Sequence, residues 1–237
     1  MKSKFNFVFA LIVLLLVFVF GAGDGLAQAT IPLNEYGLPV VSDFALYKKL
    51  TEADANKEMV DLQKIVPNLK MDIRYATKNN VTKEVLYNTP RAFLRLPAAL
   101  ALQKVAKELE LNGLGIVVYD GYRPYAITKK IWEFVLDDNY AASPKTGSRH
   151  NRGCAIDLGL YDLKTGEYLE MPTEFDSFNE EAWHKFSDLS LIVRVNRALL
   201  RSLMTKYGFD VLESEWWHYD FSTWKNFELM DIPFEEL

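Results

Sequence analysis

The chain mixes helical and strand-like patterns without a regular strand–helix–strand alternation, and this order is what most limits its possible folds. The segments "LPAALALQKVAKELELNG" and "DLSLIVRVNRALLRSLMTKYGF" repeat apolar residues every three or four positions and reach a glycine near their ends, Gly113 and Gly208, which is typical of amphipathic helices. The apolar runs "LGIVVYD", "CAIDLGLYD" and "EWWHYDF" predict strands. The sequence therefore predicts an α+β fold, an antiparallel sheet flanked by helices.

Two further elements are expected from local patterns. Residues 71–76 form a short extended stretch that ends at a polar Lys-Asn-Asn turn, and residues 124–136 carry apolar side chains at helical spacing. The segment "LKTGEYLEM" after the second strand has a hairpin-like turn sequence. No internal repeat or composition break divides the chain after residue 29, so we expect one domain over residues 58–237, preceded by an N-terminal extension over residues 30–57.

The first 29 residues have the pattern of a secretory signal peptide. Lys2 and Lys4 precede an apolar run over residues 5–20, and small residues follow as far as Ala29, which gives the charged start, apolar middle and A-x-A ending of such peptides. We expect cleavage after Ala29 and a secreted or periplasmic protein without a stable membrane anchor. The alternative is an uncleaved anchor, although the apolar run is shorter than the roughly 20 residues of a membrane span.

Charge and cysteine content exclude several classes of protein. The whole chain has a net charge of −5, and removal of residues 1–29 leaves 25 basic and 31 acidic residues, a net charge of −6. This mild acidity argues against nucleic acid or an anionic membrane surface as a partner. The single cysteine, Cys154, rules out an internal disulfide and could instead be a nucleophile. However, it lies on the apolar face of its predicted strand, which favours a structural role.

One histidine lies beside a carboxylate in the segment "SRHNRGCAID". In the predicted strand, Cys154 shares an apolar face with Ile156, Leu158 and Leu160, and Asp157 points to the opposite face. A carboxylate on a buried strand needs a cation, a donor or a metal as partner. Gly153 would allow the preceding loop to bring His150 over the strand. Two ligands alone do not make a catalytic zinc site, which needs three protein ligands and an open position.

A third ligand is available in "ESEWWHYDF". His218 lies in a predicted strand, and Glu215 precedes it by three residues. On a regular strand these two side chains would point to opposite faces. If both belong to one site, Glu215 must precede the strand or lie at a bulge. The surrounding tryptophan, tyrosine and phenylalanine side chains are expected to be core residues.

These motifs together resemble the zinc D,D-peptidase superfamily, which shares its fold with the hedgehog signalling domain. The pattern S-x-H-x-x-G-x-A-x-D followed by E-x-W-H covers the two segments above. The segments "MDIRYATKNNVTKEVLY", "YDGYRP", "MPTEFDSF" and "EWWHYDF" narrow the resemblance to the D-alanyl-D-alanine dipeptidases of the vancomycin-resistance type. The likeness covers about residues 58–225.

The resemblance implies a role for each matching residue. It assigns one Zn²⁺ per chain to His150, Asp157 and His218, the general base to Glu215 and stabilisation of the transition state to Arg123. A planar and permanently charged guanidinium suits a developing oxyanion. Asp176 is implied as the acid that binds the ammonium of the dipeptide, and Ser148 is expected to bind the carboxylate end.

The function implied is hydrolysis of the D-alanyl-D-alanine dipeptide, and two alternatives stay open. One is a D,D-carboxypeptidase or endopeptidase acting on the stem peptides of peptidoglycan, which we would favour if Asp176 lay far from the metal ligands. The other is a zinc-containing binding module without catalysis, against which the presence of Glu215 and Arg123 argues. His184 is expected to be structural, because a catalytic zinc needs an open position. An exported enzyme would scavenge cell-wall dipeptide, whereas a resistance enzyme acts in the cytoplasm where the dipeptide is made.

Overall fold

The structure, a computed structural model, describes residues 30–137 and 140–237. The signal peptide predicted for residues 1–29 lies outside this part of the chain. Within the described residues the strands are β1 (Val40–Val41), β2 (Met59–Asp61), β3 (Leu69–Met71), β4 (Phe93–Arg95), β5 (Leu114–Asp120), β6 (Ala155–Asp162), β7 (Phe209–Val211), β8 (His218–Phe221) and β9 (Leu229–Met230). The helices there are α1 (Phe44–Ala53), α2 (Leu62–Ile65), α3 (Leu96–Glu110), α4 (Tyr125–Val135) and α5 (Leu191–Lys206).

A five-stranded sheet in the order β3-β5-β6-β8-β7 forms the centre of the molecule. The pairs β5–β6, β6–β8 and β7–β8 are antiparallel, and only the edge pair β3–β5 is parallel among these strands. The chain passes from β3 to β5 through helix α3, and such a crossover is what a parallel pair requires. The predicted α+β class, with a mainly antiparallel sheet and flanking helices, is confirmed.

Helices α3 and α5 pack against the sheet and against each other. Pro97 lies in the first turn of α3, where its missing N–H costs no hydrogen bond. The buried face of α3 repeats at helical spacing through Ala98, Leu102, Val105 and Leu109. Ser190 caps α5, because its side chain accepts a hydrogen bond from the N–H of Val193 at 3.3 Å. The helices predicted from apolar spacing therefore form, and the apolar face of α3 is buried as expected; in α4, Phe134 is exposed instead.

Two predicted strands differ from the structure. The extended stretch expected over residues 71–76 is wrong in position, because strand β3 spans Leu69–Met71 and a 3₁₀ turn occupies Arg74–Ala76. An ion pair of 2.9 Å between Arg74 and Asp72 accompanies this turn. The strand expected in "SEWWHYDFS" begins only at His218, because the N–H of Glu215 donates to the carbonyl of Leu212 in a preceding turn.

The segment of residues 30–57 packs on the rest of the described chain. Strand β1 pairs in parallel with β9, and Asp43 caps helix α1 by accepting from the N–H of Leu46 at 2.8 Å. The hydroxyl of Tyr47 accepts a hydrogen bond from the N–H of Met59 at 2.8 Å. The division at residue 57 stays a prediction. No helix in residues 30–137 or 140–237 is both long and apolar enough to cross a membrane.

Candidate active site

Three neighbouring strands place acidic and imidazole side chains in one row across the sheet. Asp157 in β6 is in register with Asp120 in β5 and with His218 in β8. A register shift between Val118 and Asp120 sets this alignment, since Val118 pairs with Leu158 and an unshifted ladder would place Tyr119 opposite Asp157. Residues directly opposite each other on paired strands project to the same face. The bulge therefore brings Asp120 beside the other two side chains.

His150 reaches this row from a 3₁₀ turn over His150–Arg152. Gly153 ends the turn with a φ of 65°, a left-handed conformation that side chains disfavour. A Cβ atom added at Gly153 would lie 2.7 Å from the sulfur of Met59 and 3.3 Å from the backbone nitrogen of Arg95. Both the conformation and the close approach explain why glycine suits this position, as the sequence predicted.

The buried side chains of His150, Asp157 and His218 form a compact cluster that could hold a metal ion. The Nε2 atom of His150 lies 3.2 Å from Nδ1 of His218 and 3.4 Å from Oδ2 of Asp157. The Nδ1 atom of His218 lies 2.9 Å from Oδ1 of Asp157. Donors bound at about 2.0–2.1 Å to one tetrahedral zinc are about 3.3 Å apart. The three residues thus fit one such ion.

The second ring nitrogen of each histidine supports this fit. Nδ1 of His150 lies 2.7 Å from the carbonyl oxygen of Gly121, and Nε2 of His218 lies 3.0 Å from Oδ1 of Asp220. A carbonyl oxygen or a carboxylate accepts a hydrogen bond, so each of these nitrogens carries the proton. Nε2 of His150 and Nδ1 of His218 face each other inside the cluster, and with a metal bound their lone pairs would point to it. This is the usual arrangement of metal-binding histidines.

Asp157 is an anionic member of the cluster. Burial alone would raise the pKa of its carboxyl group, but His150 and His218 outweigh burial and hold the pKa below its ordinary value. Two imidazole nitrogens and one carboxylate oxygen are donors that zinc prefers. With three protein ligands, a fourth position would stay open for water or substrate.

Arg123 is held beside the cluster by Asp120. Its Nε and Nη2 atoms lie 2.9 and 2.8 Å from Oδ2 of Asp120, whose Oδ1 accepts from the hydroxyl of Tyr87 at 2.8 Å. Burial lowers the pKa of the Arg123 guanidinium. Asp120 and other nearby groups more than offset this effect, so the pKa stays above its ordinary value. Arg123 is therefore a fixed positive charge on the cavity wall.

Glu215 lies in the turn before β8, as a shared site with His218 requires. Its Oε2 atom is 4.0 Å from Nδ1 of His218. Burial is the main cause that raises the pKa of Glu215 to about 7. His218 lowers this pKa, and the nearby Asp157 raises it. A carboxyl group with a pKa near neutrality can both accept and release a proton.

Asp176 lines the same cavity and is held by Tyr75. The Tyr75 hydroxyl donates to Oδ2 of Asp176 at 3.1 Å. Burial raises the pKa of Asp176 to about 8, and repulsion from Asp157 and Glu215 acts in the same direction. Its φ of 58° is rare for a residue other than glycine. An acid with this backbone conformation and a raised pKa is typical of a binding site, where a positively charged partner would stabilise its ionised form.

Ser148 completes the set of predicted site residues. Its Oγ atom accepts from the N–H of His150 at 3.2 Å, and its own N–H donates to Oδ1 of Asn151 at 2.7 Å. All seven candidates line one cavity of about 440 Å³: Arg123, Ser148, His150, Asp157, Asp176, Glu215 and His218.

The remaining histidine and the cysteine lie apart from this cluster. His184 packs edge-on to Tyr219, with ring centroids 6.2 Å apart, and Tyr219 alternates with His218 along β8, so it points to the opposite face. Cys154 is fully buried, and burial raises the pKa of its thiol to about 12. A thiol in this state is a poor nucleophile.

Sequence reasoning missed three residues that hold the site in place: Tyr75, Tyr87 and Asp220. Asp220 had a readable signal, because residues two apart on a strand share a face and Asp220 is two residues from His218. Tyr75 and Tyr87 had none, since they are brought to Asp176 and Asp120 by tertiary folding.

Comparison with known proteins decides the family. Residues 55–228 match the model of the peptidase family described as D-Ala-D-Ala dipeptidase. The chain belongs to this family. Its predicted enzyme class, a hydrolase of the D-Ala-D-Ala dipeptidase family, is thereby confirmed.

Curated relatives agree with this assignment. The chain is 35% identical to a D-alanyl-D-alanine dipeptidase of Escherichia coli over 75% of this chain and 91% of the relative. It is 33% identical to a D-alanyl-D-alanine dipeptidase of Enterococcus faecium over 67% of this chain and 88% of that protein. Among solved structures, a vancomycin-resistance D,D-dipeptidase, VanXYg, crystallised with a D-Ala-D-Ala phosphinate analogue, has 20% identity and a TM-score of 0.36, and the match covers 70% of this chain and 66% of that one.

Proposed function

We propose that this chain hydrolyses the D-alanyl-D-alanine dipeptide to D-alanine with one zinc ion per chain. The observation that carries the proposal is the cavity itself: a cluster of three side chains that could hold a metal shares it with an acid, Glu215, and a fixed guanidinium, Arg123. His150, Asp157 and His218 would hold the metal. A bound zinc ion polarises a carbonyl and lowers the pKa of a coordinated water to about 7.

Glu215 and Arg123 are the side chains that act on the reacting groups in this proposal. Glu215 accepts the proton of the attacking water and delivers it to the amide nitrogen of the leaving D-alanine, for which its pKa of about 7 is suited. Arg123 donates to the carbonyl oxygen of the scissile bond as that oxygen gains negative charge. Its two contacts with Asp120 fix the guanidinium before substrate arrives, so little reorganisation is needed during the reaction.

Asp176 gives the site its preference for a dipeptide. Its side chain lines the same cavity as His150, Asp157 and His218, and the ammonium of a free dipeptide would pair with it. A longer or blocked peptide carries a neutral amide there and would leave the acid without a charged partner. This placement favours a dipeptidase over a D,D-carboxypeptidase or endopeptidase. For an exported protein, scavenging of cell-wall dipeptide is the corresponding role.

The test compares free D-Ala-D-Ala with its N-acetylated form as substrates of the zinc-loaded protein. We expect rapid hydrolysis of the free dipeptide alone. In Glu215→Gln, kcat should fall by about 10²–10⁴-fold while the zinc content stays at one per chain. Asp176→Asn should reduce the difference in kcat/KM between the free and the N-acetylated dipeptide.

Each other result points to an alternative. Equal hydrolysis of both substrates by the unaltered protein would favour a carboxypeptidase. Stoichiometric zinc binding without hydrolysis of either substrate would favour a binding module.

A further inference from the structure

The cavity has two polar poles on opposite sides of the metal cluster. At the first pole, the guanidinium of Arg123 lies over the ring of Tyr75, 5.0 Å from its centroid, and Tyr75 bonds Asp176. At the second pole, the guanidinium of Arg149 lies over the ring of Trp224, 4.9 Å from its centroid. Asp120, which holds Arg123, is in β5, and Asp220, which Arg149 contacts, is in β8; these two strands lie on either side of β6, which carries Asp157.

At the second pole, Arg149 has more N–H donors than its contact with Asp220 uses. Its ion pair with Asp220 joins Nη1 to Oδ2 at 3.4 Å, and its side chain is 43% exposed. A guanidinium has five N–H donors in a planar fork that fits a carboxylate. The other two arginines on the cavity wall are committed elsewhere: Arg123 to Asp120, and Arg152 to the carbonyl oxygen of Phe227.

We propose that Arg149 binds the carboxylate of the dipeptide substrate. The inference rests on the proposed function, in which the substrate is a zwitterion with its ammonium at Asp176 and its scissile amide at the cluster. The carboxylate then lies on the side away from Asp176, where Arg149 supplies the opposite charge. Ser148 adds a second donor there, because its Oγ accepts from the N–H of His150 and its hydroxyl proton stays free for the carboxylate.

A charge requirement at this end has a clear consequence for specificity. The enzyme would select peptides that end one residue after the scissile bond with a free carboxylate. A peptide amide, an ester or a chain continuing past that residue would lose the interaction with Arg149. Asp176 and Arg149 together would then recognise the two charged ends of the dipeptide.

The test uses D-Ala-D-Ala and its C-terminal amide, D-Ala-D-Ala-NH₂, with the zinc-loaded full chain. We expect the unaltered protein to prefer the free acid by about 10- to 100-fold in kcat/KM, the range for a hydrogen bond to a charged group. Arg149→Gln should lower kcat/KM for the acid by a similar factor, mainly through KM, and leave the amide unchanged. Arg149→Lys should recover part of the preference. Arg194→Gln, the same change on an exposed position of α5, is the matched control and should behave as the unaltered protein does.

The outcomes separate this inference from the proposed function. If Arg149 acts only by pairing with Asp220, its loss will lower kcat/KM equally for both substrates and weaken zinc binding. The inference is then wrong. An unchanged preference for the acid in Arg149→Gln would overturn it as well. Failure of the unaltered, zinc-loaded protein to hydrolyse D-Ala-D-Ala would overturn the proposed function instead.

Discussion

Among single residues, Asp220 acts on the site through its contacts with two other side chains. Its Oδ1 atom accepts from Nε2 of His218 at 3.0 Å, and its Oδ2 atom faces Arg149. It thereby fixes which ring nitrogen of His218 offers its lone pair to the metal cluster. Carboxylates that orient a metal-binding histidine in this way commonly contribute 10- to 100-fold to metal affinity.

Replacing Asp220 should therefore weaken zinc binding. We expect Asp220→Ala to raise the zinc dissociation constant by about 10- to 100-fold, measured by competition with a chromogenic chelator. Asp220→Asn keeps an acceptor oxygen for the imidazole N–H and should lose less. Equal affinities in all three proteins would show that His218 is oriented by other contacts.

The sequence was sufficient to predict which candidate residues share the cavity and insufficient to predict the residues that hold them in place. His150, Asp157, Glu215 and His218 follow from motif spacing and strand periodicity, and the requirement that Glu215 precede the strand is met. Tyr87 reaches Asp120 across 33 positions of the chain. Local patterns contain no information on such a contact, because it depends on how the elements pack.

At the scale of elements, the turn that carries His150 depends on Gly153. A substituent there meets both a positive φ and the contacts with Met59 and Arg95 described above. Gly113 also has a positive φ, 71°, but a Cβ at that position would have no neighbour within 4 Å. A comparison of substitutions at these two positions therefore distinguishes the cost of backbone strain from the cost of crowding.

Alanine substitutions at these glycines should differ in their effects. Gly113→Ala should cost about 1 kcal/mol of unfolding free energy through its backbone conformation alone. Gly153→Ala should cost more, about 2–3 kcal/mol, and should also weaken zinc binding because it displaces His150. Urea unfolding of the metal-free proteins and zinc competition measure the two effects. Equal costs at the two positions would contradict the crowding argument.

The bulge in β5 is an element-scale feature that hydrophobic patterning could not reveal. The run "LGIVVYD" predicts a strand but gives no sign that pairing with β6 shifts by one residue between Val118 and Asp120. Without that shift, Tyr119 instead of Asp120 would lie opposite Asp157. Predicted strand periodicity thus gave the correct element and missed the irregularity that completes the site.

At the scale of the whole molecule, buried His184 makes stability depend on pH. Burial lowers its pKa to about 4, and repulsion from Arg201 and Arg197 acts in the same direction. In the unfolded chain the pKa is close to 6.5. Between these values the unfolded state binds a proton that the folded state does not, so His184 leaves stability intact above about pH 6.5 and lowers it as the pH falls toward 4.

This linkage can be measured on the metal-free protein. Lowering the pH from 7.5 to 5 should cost the unaltered protein about 2 kcal/mol of unfolding free energy through His184. His184→Gln should lack that part of the pH dependence, whatever its absolute stability. Urea unfolding at the two pH values gives the comparison, and parallel losses in both proteins would rule out His184 as the source.

The pairing of β1 with β9 joins the start of the described chain to the turn that carries His150. Leu229 of β9 packs against Gly147, where an added Cβ would lie 2.7 Å from its side chain, and β9 borders the turn over His150–Arg152. A mechanical load applied before residue 30 would enter the fold through these two short strands. Tethering the molecule by that end, on a bead or a surface, would thus strain the metal site before the central sheet, and the anchoring point of an immobilised enzyme would itself alter its catalysis.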